Sequence, residues 1–433
     1  MKTKLYIIFL ISSAFAIQAQ DTNDIIKKGI SFGPLPIVAF DADKGLQYGG
    51  LLNIFDFGDG SYYPVPKQQW YIEAAGYSKG SQQYFLTYDA KNLIPNIRMS
   101  LAATIMLDQA MDFYGYNGYQ ANYYADSVSA FYRLGRKNIS LKADFVGKLP
   151  MKNWYWQGSY YFGWYDYSVL DKNKINKGKP ESEQFWDETL YEKYIKWGII
   201  PNNEIGGGRT SALRGGLMYD TRDFEPAPSS GIWAETNITL APKSLGSTNA
   251  YNRYMFIFRH YVSMAKKSLT FAYRLNYQGS IGSYVPYYIL PVFSTIGREY
   301  DRDGLGGYRT VRGIMRDRVQ GLDEAFFNAE WRWKFVSFKA ANQNVYLGLN
   351  AFFDGGIVIR NYKYDLGLYC GNGETLDWQD HINLNQKDKL HTAAGAGFRI
   401  VINQNFIIAV DYAKPLNKQD GNGSLYVNTG YLF

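Results

Sequence analysis

Cysteine is almost missing: one residue, Cys370, in 433 excludes an internal disulfide framework. Only three histidines occur, His260, His381 and His391, which leaves little for histidine-based catalysis or a metal centre. Beyond residue 19 no segment stays apolar for the ~18–20 residues a membrane helix needs, and the mean hydropathy is −0.32. Repeats, low-complexity tracts and domain linkers are absent. A concentrated block of one charge is also lacking. The net charge of +7 and the pI of about 9.0 come from basic residues spaced among aromatics, so nucleic acid is not an expected partner.

What is abundant is aromatic. Phe, Trp and Tyr make up 17% of the chain, with 39 Tyr. The first residues, MKTKLYIIFLISSAFAIQAQ, combine Lys2 and Lys4 with an apolar run and a cleavage site near Ala19. This pattern is a secretory signal peptide. No cysteine follows the site, so a lipid anchor is not expected. A signal peptide, many aromatics and no membrane helix together point to an outer-membrane β-barrel, with a secreted β-sandwich or propeller as the soluble alternative. The expected division is residues 1–19 signal peptide, 20–30 a short periplasmic lead, and 31–433 the barrel.

The alternation supports a sixteen-stranded antiparallel transmembrane barrel. In the twelfth strand Ala325, Phe327, Ala329, Trp331, Trp333 and Phe335 share one parity, and Glu324, Asn328, Glu330, Arg332 and Lys334 the other. A lipid face beside a wet interior predicts this; a strand buried on both faces would be apolar throughout. In the next strand Leu347, Leu349 and Phe353 are expected outward, with Tyr346, Asn350, Phe352 and Asp354 inward. Arg399 and Asp411 fall on the inward parity of strands fourteen and fifteen. The last strand, 425–433, places Leu425, Val427, Thr429, Tyr431 and Phe433 on the outer face. With the N-terminus periplasmic, long connections should follow odd strands, and those after strands five, seven, eleven and thirteen do. The connection 56–67 is long for a periplasmic turn.

Three stretches stand out from the strands. In 170–208, Trp186, Leu190, Tyr194 and Trp197 fall at helical spacing before Gly198, predicting a short amphipathic helix packed on its own loop or the rim. In 220–231, Asp220, Asp223 and Glu225 could be read as metal ligands, but Arg222 and the prolines favour a turn. The third, GGYRTVRGIMRDRVQG at 306–321, carries Arg309, Arg312, Arg316 and Arg318 inside a long irregular connection. A loop so long and basic is more than a connector; here it is expected to fold back into the barrel. Its paired glycines lack the strand–helix context of a phosphate cradle. His260 near Ser263 has no orienting third group, and Asp377, Asp380 and His381 fit a solvated loop. No catalytic residue, metal or cofactor is expected.

From about residue 209 onward the chain resembles the BamA/TamA-type superfamily of outer-membrane assembly and translocation barrels, also called bacterial surface antigens. Val311-Arg312-Gly313-Ile314 is similar to the family's VRG-aromatic loop tip, with Ile314 in the aromatic position. Tyr219-Asp220-Thr221-Arg222-Asp223, followed by Pro228 and Gly231, is similar to its strand–turn signature. The ending with Tyr431 and Phe433 is similar to the general outer-membrane sorting strand. The resemblance implies that Arg312 pairs inside the barrel with Glu330 and Asp354, either as a static lumen ion pair or as a loop latch coupled to barrel opening. It also implies an outer-membrane location in a Gram-negative bacterium, contact with outer-membrane lipid, and a role in assembly, insertion or translocation. Client outer-membrane proteins and periplasmic or outer-membrane accessory proteins would be the partners. Only 20–29 lies between the signal and the first strand, so the expected member lacks POTRA domains. A passive pore or surface-structural barrel is the alternative function.

Overall fold

The computed structural model describes residues 25–433 apart from 42–44, 297–303, 365 and 367–376. The signal peptide, its cleavage site near Ala19, Cys370 and the turn at 42–44 lie outside the described residues.

Sixteen strands pair in chain order in one antiparallel sheet. The first half comprises β1 (Ile30–Asp41), β2 (Gly45–Asp56), β3 (Gln68–Tyr77), β4 (Gln82–Ile94), β5 (Ile97–Asp112), β6 (Arg133–Lys148), β7 (Trp154–Ser168) and β8 (Gly207–Asp220). The second comprises β9 (Gly231–Ala241), β10 (Tyr251–Met264), β11 (Leu269–Ser280), β12 (Asp323–Ala340), β13 (Gln343–Arg360), β14 (His391–Ile402), β15 (Phe406–Pro415) and β16 (Ser424–Thr429). Among the described residues no helix is long and apolar enough to cross a membrane; the strands would do the crossing.

Side chains alternate across the sheet as the pleat requires. On β12, Glu324, Asn328, Glu330 and Arg332 are buried inside while Trp331 is exposed outside. On β13, Tyr346, Asn350, Phe352 and Asp354 are buried inside, and Leu349 and Phe353 face out. Polar residues can occupy the inner face because loops and charged neighbours meet them there, whereas the outer face is left apolar for lipid.

The two ends of the barrel differ. At one end are the long connections 113–132, 169–206, 281–322 and 361–390, each following an odd strand. They share an aromatic core that includes Phe113, Tyr116, Tyr132, Tyr165, Tyr191, Tyr194, Trp197, Tyr287 and Tyr362. Phe113 meets Tyr116, Tyr191 and Tyr194 edge-on, with ring centroids 5.7, 5.8 and 5.2 Å away. Such pairs contribute ~0.5–1.5 kcal/mol each beyond their buried area. The predicted helix is present but shorter than its stripe. It spans Leu190–Lys196 and starts at a Thr189–Glu192 capping box. Leu190, Tyr194 and Trp197 point into the aromatic core, while Trp186 precedes the helix and is exposed.

At the other end the turns are short except for 57–67 and 221–230, and the length of the first has a structural cause. The loop and the lead 25–29 reach the turns between β12 and β13 and between β14 and β15. Asn344 bonds the backbone of Ile25 through N–H and C=O at 2.9 and 3.0 Å and meets the Tyr63 hydroxyl at 2.9 Å.

The end of the chain departs from the predicted pattern. β16 stops at Thr429, and Gly430 adopts φ 91°, which L side chains rarely hold. Tyr431 and Phe433, expected on the outer face, therefore turn into the barrel. Leu432 and Phe433 pack with Tyr261 of β10 and Ala272 of β11. The Phe433 backbone oxygen accepts from Arg332 Nη2 at 2.8 Å, and the Arg332 guanidinium lies 4.4 Å from the Tyr431 ring centre. Strict alternation could not foresee this, since it has no term for a backbone reversal at one glycine.

Candidate functional site

The loop 304–322 enters the barrel and lies against β11 to β15. Its tip is built on Arg312, whose side chain is fully buried. Arg312 Nε and Nη2 bond the two Asp354 oxygens at 2.8 and 3.1 Å, and the Arg312 backbone amide donates to the same carboxylate at 3.1 Å. Nη1 lies 3.0 Å from Glu330 and 3.5 Å from Asp411. The guanidinium sits over the Phe352 ring, 3.4 Å from its centre. Strands β12, β13 and β15 thus each present one inward carboxylate to a single cation.

Two more arginines complete the cluster. Arg399 of β14 pairs in a fork with Asp411 at 2.8 and 2.9 Å. Arg332 of β12 bonds Glu330 at 3.1 Å. Three cations face three carboxylates, so the buried group is neutral. That balance matters, because desolvating each buried ion costs several kcal/mol, which only a well-placed partner of opposite charge offsets. Glu330 and Asp354 stand where the resemblance placed them. Alternation gives Asp411, Arg399 and Phe352 only an inward parity; no local motif joins β14 and β15 to the loop.

Neighbouring residues seat the tip. Gly313 has φ 91°, and a Cβ there would come within 3.0 Å of the Ala413 backbone carbon. Its N–H donates to the Tyr426 hydroxyl of β16 at 2.9 Å. Val311 and Ile314 are buried with Leu305, Val319, Phe326 and Val358. The aliphatic Ile314 fills a site walled by aliphatic side chains as much as by aromatic ones. Arg318, also fully buried, donates to the carbonyls of Gly118, Ala121 and Gln419 at 3.0, 3.1 and 3.1 Å. It ties the loop to the connections after β5 and β15.

The turn motif lies at the opposite, short-turn end. Asp220 and Arg222 bond each other at 2.8 and 3.0 Å, and Arg222 lies 5.5 Å from the centre of the Trp233 ring. Asp223 accepts from the Ser229 and Ser230 amides at 2.9 and 3.1 Å and from the Ser229 hydroxyl, and pairs with Lys267 at 3.2 Å. Burial pushes the Asp223 carboxyl upward, but these donors outweigh it and hold it down at about 2. Pro228 is buried, and Gly231 has φ 105° with the Thr221 carbonyl 2.3 Å from where a Cβ would stand.

Glu225 of the same turn reaches across to Arg98 at 2.8 Å and Lys91 at 3.0 Å, and Arg98 also holds Asp89 at 2.7 Å. Ala227 packs against the cluster of Tyr346, Val401 and Ile407, as Tyr431 does. The three acids of the turn therefore diverge to three separate sets of partners, and the turn crosses the mouth of the barrel. Sequence spacing could not reveal Glu225 as the anchor, since its cations lie 127 and 134 positions away.

Comparison with known proteins follows the same lines. The model of the Omp85 superfamily domain matches residues 71–433. A BamA from Haemophilus ducreyi lacking POTRA domains 1–3 is similar over 93% of this chain and 69% of its own length, at 15% identity and a TM-score of 0.50. CdiB from Escherichia coli is similar over 93% of this chain and 62% of its own, at 10% identity and a TM-score of 0.55. No curated protein matches the sequence. At these identities the two structures bear on the fold alone. The family match covers most of the chain, and an outer-membrane barrel is the architecture it carries; the chain belongs to the Omp85 superfamily.

Proposed function

We propose that this barrel acts in the assembly or insertion of outer-membrane proteins, or in their translocation, through a seam between β1 and β16 that opens sideways. The observation that carries the reading is the end of the sheet. Among the described residues the order runs from β1 to β16 with no ladder joining the two. β16 is only six residues long and leaves the wall at Gly430. Strand pairing would normally seal such an edge, and an unsealed edge offers itself for β-augmentation.

A passive pore is the less favoured reading, because the lumen is occupied. The loop 304–322, the turn 221–230, Tyr431–Phe433 and the aromatic cap of the long loops all lie across it. Clients would be other outer-membrane proteins, delivered by periplasmic or outer-membrane accessory proteins, with the surrounding lipid as the second partner. Depletion tests the proposal: the levels of other outer-membrane proteins should fall. Unaltered protein and lipid composition after depletion would overturn it.

A further inference from the structure

The two edges of the seam are chemically unequal. Phe57 N–H donates to the Gly29 carbonyl at 2.9 Å, one step beyond the Ile30–Asp56 pair of the β1–β2 register. Bonded pairs alternate in an antiparallel ladder. Ser31, Gly33, Leu35 and Ile37 therefore bond β2, and the backbone of Phe32, Pro34, Pro36 and Val38 faces the seam. Proline has no N–H, so the middle of the β1 edge has lost two consecutive donors. The assignment agrees with the rule that proline within a sheet turns its nitrogen to a free edge.

On the other side, Gly430 N–H donates to the Ile407 carbonyl at 3.0 Å, one step beyond the Ile408–Thr429 pair. By the same alternation Ser424, Tyr426 and Asn428 bond β15, and Leu425, Val427 and Thr429 present both N–H and C=O to the seam. Exposure agrees. Phe32 and Val38 are 65% and 77% exposed and Leu425 and Val427 are 67% and 60%, whereas the exposed apolar residues on flanked strands reach at most 58%, at Leu93. The excess is what a missing neighbour strand produces. Where β16 leaves the wall, the Phe406 ring of β15 lies against Gly33 of β1, 2.6 Å from where a Cβ would stand, so a side chain rather than a ladder fills that part of the seam.

We propose that Pro34 and Pro36 blunt β1, so that β16 is the strand-accepting edge of this barrel. Its occupant is an extended polypeptide strand with apolar side chains at alternate positions. The occupant's backbone pairs with Leu425, Val427 and Thr429, and its apolar face continues the outward face of Leu425 and Val427. This specifies the edge used in the lateral-opening reading and rests on it.

Amide exchange on the purified full chain in detergent tests the blunted edge. The amides of Leu425, Val427 and Thr429 should exchange at least tenfold faster than those of Tyr426 and Asn428. In P34V/P36V, which restores both donors, Leu425 and Val427 should slow at least tenfold as β1 zips to β16. Seam amides already protected in the natural chain, or unmoved in a folded double variant, overturn the proposal.

The second arm needs no change to the prolines. Benzoylphenylalanine at Leu425 or Val427 should cross-link a synthetic peptide of the 424–433 sequence several-fold more than the same probe at Phe32 or Val38. Equal or stronger capture from β1, or capture of a second copy of the chain in place of the peptide, overturns it. Both arms use purified protein, so they fail independently of the depletion result.

Discussion

Replacing Arg312 by alanine tests the buried cluster most directly. In the intact protein Arg312, Arg332 and Arg399 face Glu330, Asp354 and Asp411, three charges against three. R312A leaves an excess negative charge in a site with no exposure. Asp354 loses its contacts to Nε and Nη2 and keeps only the backbone amide of position 312. Removing one partner of a buried pair costs ~3–5 kcal/mol, because the remaining charge stays desolvated. R312A/D354N removes that orphan charge, and the asparagine still accepts from the amide. It should recover roughly half the loss if the orphan charge is the main cost. R312K keeps the charge but cannot make a two-point bond to Asp354 while reaching Glu330, so an intermediate loss of ~1–3 kcal/mol is expected. Urea unfolding in detergent micelles measures all three, and limited proteolysis reports whether the loop 304–322 is released. If R312A unfolds at the urea concentration of the natural chain with an unchanged cleavage pattern, the cluster does not hold the loop.

Two further outcomes follow from the backbone and from charge. G430V should straighten the end of β16, since a β-branched residue is an outlier at φ 91°; a photo-cross-linker at Phe433 should then lose its product with the β10–β11 wall, and a retained product would refute the glycine reversal. Asp223, held at about 2 against an ordinary 3.8, is ionised in both the folded and unfolded chain above about pH 5. Its stabilisation of the β8–β9 turn is fully present there and is lost as pH falls through the interval down to about 2. D223N should remove that acid-sensitive step from the exchange rates of the Ser229 and Ser230 amides; a step that persists in D223N assigns it to another group.

Strand number, face and the inward positions of Glu330, Asp354, Arg399 and Asp411 were legible because a period of two ties each side chain to a face wherever one face is apolar. The pairing of Arg312 with Glu330 and Asp354 was legible through the resemblance of 311–314, and the helix at Leu190–Lys196 through its spacing. Three things were not. The inward turn of Tyr431–Phe433 depends on one glycine torsion, which leaves no trace in alternation. The anchor at Glu225 depends on the turn crossing the mouth to meet Arg98 and Lys91. The assignment of Trp186 to the helix failed because a helical stripe continues across a cap that only backbone geometry places at Thr189.

The sequence by itself determined a membrane-facing and a lumen-facing set of residues, and it blocked two donors on β1 through Pro34 and Pro36. Those outcomes are local: pleat, side-chain polarity and a missing N–H need no distant partner. Only the tertiary structure decided which charges neutralise one another and what fills the lumen. Each of these depends on residues far apart in the chain, brought together by the curl of the sheet. Arg312 meets Asp411 across 99 positions only because the loop 304–322 folds back between them.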